Sequence, residues 1–112
     1  MSAIDGYVRS VPAAARGKFK EVLRAVKRAA PGAEAILSYR IPAFRYRKRI
    51  LVYLGAFEHH IGLFPPPPPP LRKAAARYAG PKGNLRFPLD RAMPLALIAR
   101  IVKCKVKALN RY

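Results

Sequence analysis

The central stretch of the chain, residues 41–64, is rich in β-branched and aromatic side chains and constrains the fold more than any other segment. Such side chains fit a pleated, half-buried surface, so the stretch predicts two or three consecutive β-strands. The two-residue period of a strand puts Phe44 and Tyr46 on one face and Arg45 on the other. Residues 47–49, Arg-Lys-Arg, separate two apolar runs and predict a turn, although they include no glycine or asparagine to supply a positive φ.

Two long amphipathic helices are predicted near residues 12–30 and 94–109. Their apolar residues recur at the i, i+3, i+4, i+7 spacing of one buried face. We also expect a short first helix over residues 2–9, a strand over 34–39, a short helix over 71–78 and a strand over 85–87. The six prolines at 65–70 cannot donate hydrogen bonds to a sheet, so they end it and predict a stiff polyproline II segment.

This order of elements predicts an α+β fold in a single domain covering residues 1–112. Strands joined by short turns pair antiparallel, so we expect an antiparallel sheet of about four to five strands packed against the helices. A chain of 112 residues falls within the usual size of one domain.

The charge is extreme, with 23 Lys and Arg against five Asp and Glu and a formal net charge of +18. A surface of this kind attracts polyanions such as nucleic acid. The single cysteine, Cys104, excludes an internal disulfide and favours the reducing cytoplasm. The chain has neither an N-terminal signal-peptide pattern nor a run of about 20 apolar residues, so no membrane span is expected.

Part of this charge is concentrated beside the predicted strands. Basic side chains contact phosphates and aromatic rings stack on bases, so nucleic-acid contacts are predicted for five residues: Arg40, Arg45, Arg47, Lys48 and Arg49. No sequence-reading motif accompanies them, which favours non-specific binding. The alternative is that a surface rich in lysine and arginine merely reflects the amino-acid composition of the host.

Several motifs, in order along almost the whole chain, resemble the YdhG-like family of bacterial proteins. They include Ser38-Tyr39, Ile41-Pro42-Ala43-Phe44, Leu51-Val52-Tyr53, His60-Ile61-Gly62 and Arg86-Phe87-Pro88-Leu89-Asp90. The resemblance implies an α+β sandwich with an antiparallel sheet and supplies no catalytic residues. One group of this family is described as a frataxin-like intracellular iron chaperone. The family usually has glycine at the position of Arg40.

The ligand-binding residues predicted with this resemblance are Tyr39, Pro42, Phe44, His60, Lys82 and Gly83. No metal ligands are assigned, and no cofactor is identified. Five scattered acids in a strongly positive chain are a poor set of iron ligands. Five aromatic residues are candidates to line a pocket on the sheet, and the alternative is that about half of them belong to the core: Tyr39, Phe44, Tyr46, Tyr53 and Phe57.

The leading hypothesis is therefore a non-enzymatic binding or carrier protein for a small ligand or a metal ion. The alternative is non-specific binding of nucleic acid or another polyanion through the basic surface. An enzyme ranks third. Ser38, His60 and Asp90 are residue types of a catalytic triad, but they stand in no known order or motif.

Overall fold

Five strands pair in chain order in one antiparallel sheet, with the helices on one of its faces. The computed structural model describes residues 2–111. The helices are α1 (Ser2–Ser10), α2 (Ala13–Ala29), α3 (Arg72–Ala75) and α4 (Leu95–Leu109). The strands are β1 (Glu34–Ser38), β2 (Ile41–Tyr46), β3 (Arg49–Ala56), β4 (His60–Phe64) and β5 (Leu85–Pro88). Single 3-10 turns at Pro69–Leu71 and Ala76–Tyr78 flank α3. The predicted α+β class, the five-stranded sheet and both long helices are confirmed.

The core lies between the sheet and the helices. From α2 it receives Ala15, Phe19, Val22 and Val26, and from α4 Ile98, Ile101 and Val102, all of which are buried. The sheet contributes Phe44, Leu54, Ile61, Leu63, Leu85 and Phe87 to the same hydrophobic cluster. The apolar faces of the helices therefore pack against the apolar face of the sheet, as the sequence pattern predicts.

The two hairpin turns that flank β2 use a backbone conformation unusual for their residues. Tyr39 and Arg40 link β1 to β2 with φ values of 54° and 67°, and Arg47 and Lys48 link β2 to β3 with 50° and 67°. Positive φ at both positions is typical of a type I′ loop, whose twist matches that of the two strands it joins. The predicted turn at residues 47–49 is thus real, but Arg49 already belongs to β3.

A register shift between β2 and β3 changes which side chains reach the core. Phe44 pairs with Val52, whereas the next residue, Arg45, pairs with Ile50. Leu51 is the extra residue of a β-bulge, and both Leu51 and Val52 join the hydrophobic cluster. The bulge therefore adds one large apolar side chain to the core beside α4.

The proline run only partly follows the expected polyproline II geometry. Pro68 has extended dihedrals, φ −63° and ψ 152°, but Pro69 and Pro70 already belong to a 3-10 turn. Proline suits a first helical turn because it lacks an N–H that would be unpaired there. The predicted strut is therefore shorter than six residues and leads directly into α3.

Among residues 2–111, no helix is both long enough and apolar enough to cross a bilayer.

Candidate functional site

The face of the sheet turned away from the helices is the candidate site, and we call it the outer face. Strand register places twelve side chains on it: Ile36, Ser38, Ile41, Ala43, Arg45, Ile50, Tyr53, His60, Phe64, Arg86, Pro88 and Glu34, with Gly55 and Gly62 between them. Within residues 2–111, none of these belongs to the hydrophobic core cluster. An antiparallel sheet with one uncovered face normally presents polar residues there, so aromatic side chains on this face need an explanation.

Two glycines open the middle of the outer face. Gly55 on β3 pairs directly with Gly62 on β4, and the rings of Phe57 and Phe64 occupy the space above them. A Cβ on Gly55 would lie 2.9 Å from the Phe57 ring, and a Cβ on Gly62 would lie 2.9 Å from the Phe64 ring. The missing side chains therefore leave room for both rings close to the strand backbone.

Further rings extend this arrangement into an aromatic band, defined as Tyr39, Tyr53, Phe57, His60 and Phe64. The imidazole of His60 stacks on the Phe57 ring with centroids 4.8 Å apart and planes 20° from parallel. At the β1–β2 turn, the Tyr39 ring lies 6.2 Å from that of Tyr53. Tyr39 is 87% exposed and Phe57 42% exposed, so part of each side chain is accessible from solvent.

Arginines stand beside the aromatic band. Arg86 pairs with Gly62 across β4 and β5 and is exposed. Arg45 lies on the outer face of β2 and forms an ion pair with Glu34 at 2.6 Å. Arg40 follows Tyr39 in the turn and is exposed. The outer face thus combines ring surfaces with guanidinium groups, of which Arg45 is partly neutralised.

The electrostatic setting of His60 follows from these neighbours. Partial burial lowers the pKa of its imidazole below the ordinary value of 6.5, and the charges of Arg86 and His59 lower it further. Each cause disfavours the charged form. His60 is consequently a neutral ring at neutral pH and contributes stacking surface rather than charge.

The structure does not bring the six predicted ligand-binding residues into one site. Tyr39 and His60 both belong to the aromatic band, because alternate turns of an up-and-down sheet lie at the same end. Phe44 is 2% exposed and lies in the core under the helices. Pro42 is buried on β2, while Lys82 and Gly83 lie in the loop before β5, at the other end of β4 from His60.

The five predicted nucleic-acid residues are also divided. Only Arg40 and Arg45 lie at or on the outer face. Arg47 and Lys48 form the β2–β3 turn at the opposite end, where the Arg47 guanidinium lies 5.5 Å from the centre of the Tyr46 ring. Arg49 pairs with Tyr46 and therefore lies on the helix side of the sheet. Tyr46 itself packs against the core, and its hydroxyl donates a 2.9 Å hydrogen bond to Asn110.

The expected division of the five aromatic residues is observed: Phe44 and Tyr46 pack on the helix side, and Tyr39, Tyr53 and Phe57 lie on the other side. Sequence reasoning did not assign Phe64 or Arg86 to the site. The alternation of Leu85, Arg86 and Phe87 could have placed Arg86 on the outer face. The two apolar residues are fully buried and the arginine between them is exposed.

A separate cavity of about 400 Å³ lies beside the proline run. Lys82 and Gly83 both line it, together with Pro66, Pro67 and Arg72. Gly83 has a φ of 86°, a conformation that glycine adopts without strain. The cavity therefore joins two of the predicted ligand-binding residues to an apolar wall and a second cation.

Residues 2–111 include no group of three or more His, Cys, Asp or Glu side chains arranged to hold a metal ion. Cys104, on α4, is half-buried and unbridged.

The fold resembles a solved structure. The crystal structure of YdhG from Bacillus subtilis, a protein of the DUF1801 family, matches with a TM-score of 0.87 over 98% of this chain and 93% of that chain, at 14% sequence identity. No family model matches the sequence, and no curated protein matches it. The structural likeness confirms the fold implied by the resemblance to the YdhG-like family.

Proposed function

We propose, from the premise that this chain has the fold of the YdhG-like family, that its outer face binds single-stranded nucleic acid without sequence specificity and without a catalytic step. The single observation that carries the proposal is the aromatic band, because its rings lie on a sheet face outside the core and two of them, Tyr39 and Phe57, are exposed. In the RRM, a common RNA-binding module, aromatic side chains on an exposed antiparallel sheet stack two or three bases of a single strand.

Stacking explains why the rings lie outside the core. Each base that stacks on an aromatic side chain contributes about 1–3 kcal/mol, and every base offers a planar face regardless of sequence. Tyr39 and Phe57 present the most exposed rings. Duplex bases are already stacked on one another, so a single strand is the form of nucleic acid that this surface accommodates.

Charge supports the same ligand. Arg40 and Arg86 flank the aromatic band, and the chain as a whole carries a formal charge of +18. Phosphate contacts fix the position of a strand and release its counterions, so affinity falls steeply with salt. The acids close to this face are few: Glu34 pairs with Arg45, and Glu58 lies 3.4 Å from His59.

The test is fluorescence anisotropy with a labelled 12-nucleotide oligo-dT at about 50 and 200 mM salt, a range over which phosphate-driven binding weakens by orders of magnitude. We expect binding at the lower salt concentration. Phe57→Ala and Tyr39→Ala should each weaken it by about 5- to 100-fold, since each removes one stacking ring. Arg86→Gln should reduce the slope of log K against log salt by about one.

The controls separate the outer face from the general charge. Leu37→Ala removes an apolar side chain of β1 that is 41% exposed but lies on the helix side by register with Pro42. Arg100→Gln removes an exposed charge on α4. If Arg100→Gln weakens binding as much as Arg86→Gln, and Phe57→Ala has no effect, the proposal is wrong and binding reflects net charge alone.

A small anionic ligand is a second candidate, supported by the cavity beside the proline run. Arg72 and Lys82 supply positive charge to a space of about 400 Å³ with apolar walls, including Ala75 and Ala79. Isothermal titration with aromatic carboxylates tests it. Binding that is lost in Lys82→Gln but kept in Phe57→Ala supports the candidate, and no heat with any carboxylate contradicts it.

The iron-carrier role that the resemblance implies stays a prediction. Iron sites use several imidazole or carboxylate ligands, and the described residues offer no group of three. The expected absence of enzymatic activity is likewise part of the proposal. It rests on the fact that neither the sequence motifs nor the resemblance assigns a catalytic group.

A further inference from the structure

A lysine on the helix side lines a hollow that the proposed nucleic-acid site does not use. Lys105, in the C-terminal half of α4, borders a space of about 440 Å³ between that helix, the start of β3 and the first proline. The other lining residues are Arg49, Ile50, Leu51, Pro65 and Leu109. A lysine, an arginine and several apolar residues therefore line one hollow.

The amine of Lys105 is held in place within this hollow. It is half-buried, and its Nζ donates a 3.1 Å hydrogen bond to the backbone carbonyl of Leu51. That carbonyl belongs to the bulge residue of β3. The acceptor is neutral, so it orients the amine without stabilising the ammonium as strongly as a carboxylate would.

Burial lowers the pKa of Lys105 to about 8, although a thiolate at the neighbouring Cys104 would raise it. The fraction of free amine at neutral pH is then roughly two to three orders of magnitude above that of an ordinary lysine. Only the free amine is nucleophilic, and a lysine in a partly apolar site is the usual form of an activated amine.

We propose that Lys105 forms a reversible imine with a small aldehyde that carries an anionic group, and that Arg49 binds the anion. The apolar residues of the hollow would cover the body of the ligand. The guanidinium of Arg49 is suited to a carboxylate or a phosphate, because its donors match both geometries. The class of ligand is thus an anionic, partly apolar aldehyde.

The chemistry balances without a further reactant. The lone pair of Nζ attacks the carbonyl carbon, a nitrogen–carbon bond forms, and the carbonyl oxygen takes a proton that leaves the nitrogen. The resulting carbinolamine then loses its hydroxyl group with the second amine proton as water and leaves a carbon–nitrogen double bond. Hydrolysis reverses each step, so the lysine acts as a reversible covalent anchor.

The test uses pyridoxal 5′-phosphate as the probe, with cyanoborohydride to reduce the imine at pH 7.5. Peptide mapping of the intact protein at short times gives the rate at each lysine. We expect Lys105 to be modified at least tenfold faster than Lys103 and Lys107, which are exposed on the same helix. Equal rates at the three lysines would overturn the proposal.

Two variants sharpen the result. Intact-mass measurements of the modification over time should show a fast phase that is lost in Lys105→Arg. The matched Lys103→Arg should keep this phase. Arg49→Gln should slow modification by the phosphate probe about tenfold, because a charge-assisted contact is lost, and leave the rate with phosphate-free pyridoxal within twofold. Equal slowing with both aldehydes would overturn the role of Arg49, and a fast phase that survives in Lys105→Arg would overturn the site.

Discussion

Gly55 and Gly62 are directly paired across β3 and β4, and this pair creates the space in which the rings of Phe57 and Phe64 lie against the sheet. Both glycines are buried, although both lie on the outer face. Their burial is caused by the two rings and not by the helices. The aromatic band therefore depends on two residues that bring no side chain of their own.

Gly62→Ala tests this dependence. Its Cβ would lie 2.9 Å from the Phe64 ring and 3.1 Å from the Phe57 ring, so both rings must turn away from the backbone. The ends of these side chains are free to move, and we expect the free energy of unfolding to change by no more than about 1 kcal/mol. Oligo-dT affinity, measured by anisotropy, should fall several-fold.

Gly17→Ala is the matched control for that substitution. Gly17 lies in α2, and a Cβ there would meet nothing within 4 Å. It should raise the free energy of unfolding by about 0.5–1 kcal/mol through helix propensity and leave oligo-dT binding unchanged. Equal affinities for the two variants would show that the rings above Gly62 do not contact the ligand.

Arg40→Gly is predicted to stabilise the fold. Arg40 has a φ of 67°, and a left-handed conformation costs a residue with a Cβ about 1–2 kcal/mol. Glycine removes that strain but increases the entropy of the unfolded chain. We therefore expect the free energy of unfolding, measured in urea, to rise by about 0.5–1 kcal/mol.

The same substitution at Arg72 should have the opposite effect. Arg72 has helical dihedrals, φ −60° and ψ −42°, and there glycine costs up to about 1 kcal/mol. Both variants lose one exposed positive charge, and Arg72→Gly also loses the 3.4 Å hydrogen bond that Arg72 Nε donates to the carbonyl of Pro67, which adds to its cost. If the two shifts have the same sign, positive φ is not the cause.

The titration of Lys105 predicts a dependence of stability on pH. In the folded protein its pKa is lowered to about 8, against 10.5 for the unconstrained group. Between these values the unfolded chain binds more protons, so the free energy of unfolding rises with pH. The gain begins near pH 8 and is complete near pH 10.5, because below pH 8 both states are protonated.

Urea unfolding of the wild type and of Lys105→Met at pH 7, 8.5 and 10 measures this effect. Every other residue is the same in the two proteins, so the difference between their pH profiles reports Lys105. We expect the wild type to gain stability relative to the variant as the pH rises. A difference that stays constant would mean that the burial of the amine does not shift its titration.

Tyr7→Phe should destabilise the protein by about 1–2 kcal/mol, the cost of a lost hydrogen bond in a partly buried setting. The N–H of Ala56 donates to the Tyr7 hydroxyl at 3.0 Å, which links α1 to the end of β3. Tyr78→Phe is the control, because its ring packs edge-on against Phe87 in the core. Thermal unfolding that ranks the two variants equally would contradict a specific role for this bond.

Much of the fold follows from local rules that the sequence displays directly. The buried face of α2 is indicated by the helical spacing of Ala15, Phe19 and Val22. The buried face of β2 is indicated by the alternation of Phe44, Arg45 and Tyr46. Such patterns locate elements because amphipathicity is encoded within a few residues. The candidate site is different, since Pro42 and Phe44 were predicted for it and the structure buries both.

The sequence by itself determined the order of the elements, the antiparallel sheet and the positive charge, since each depends on neighbouring residues or on composition. Only the tertiary structure decided that Tyr39 meets Tyr53, that Phe57 stacks on His60 and that two glycines face each other beneath the rings. These contacts depend on strand register, and that register is set by the length of the turns and by the β-bulge. The helices cover only one face of the sheet, so the rings on the other face are not buried in the core.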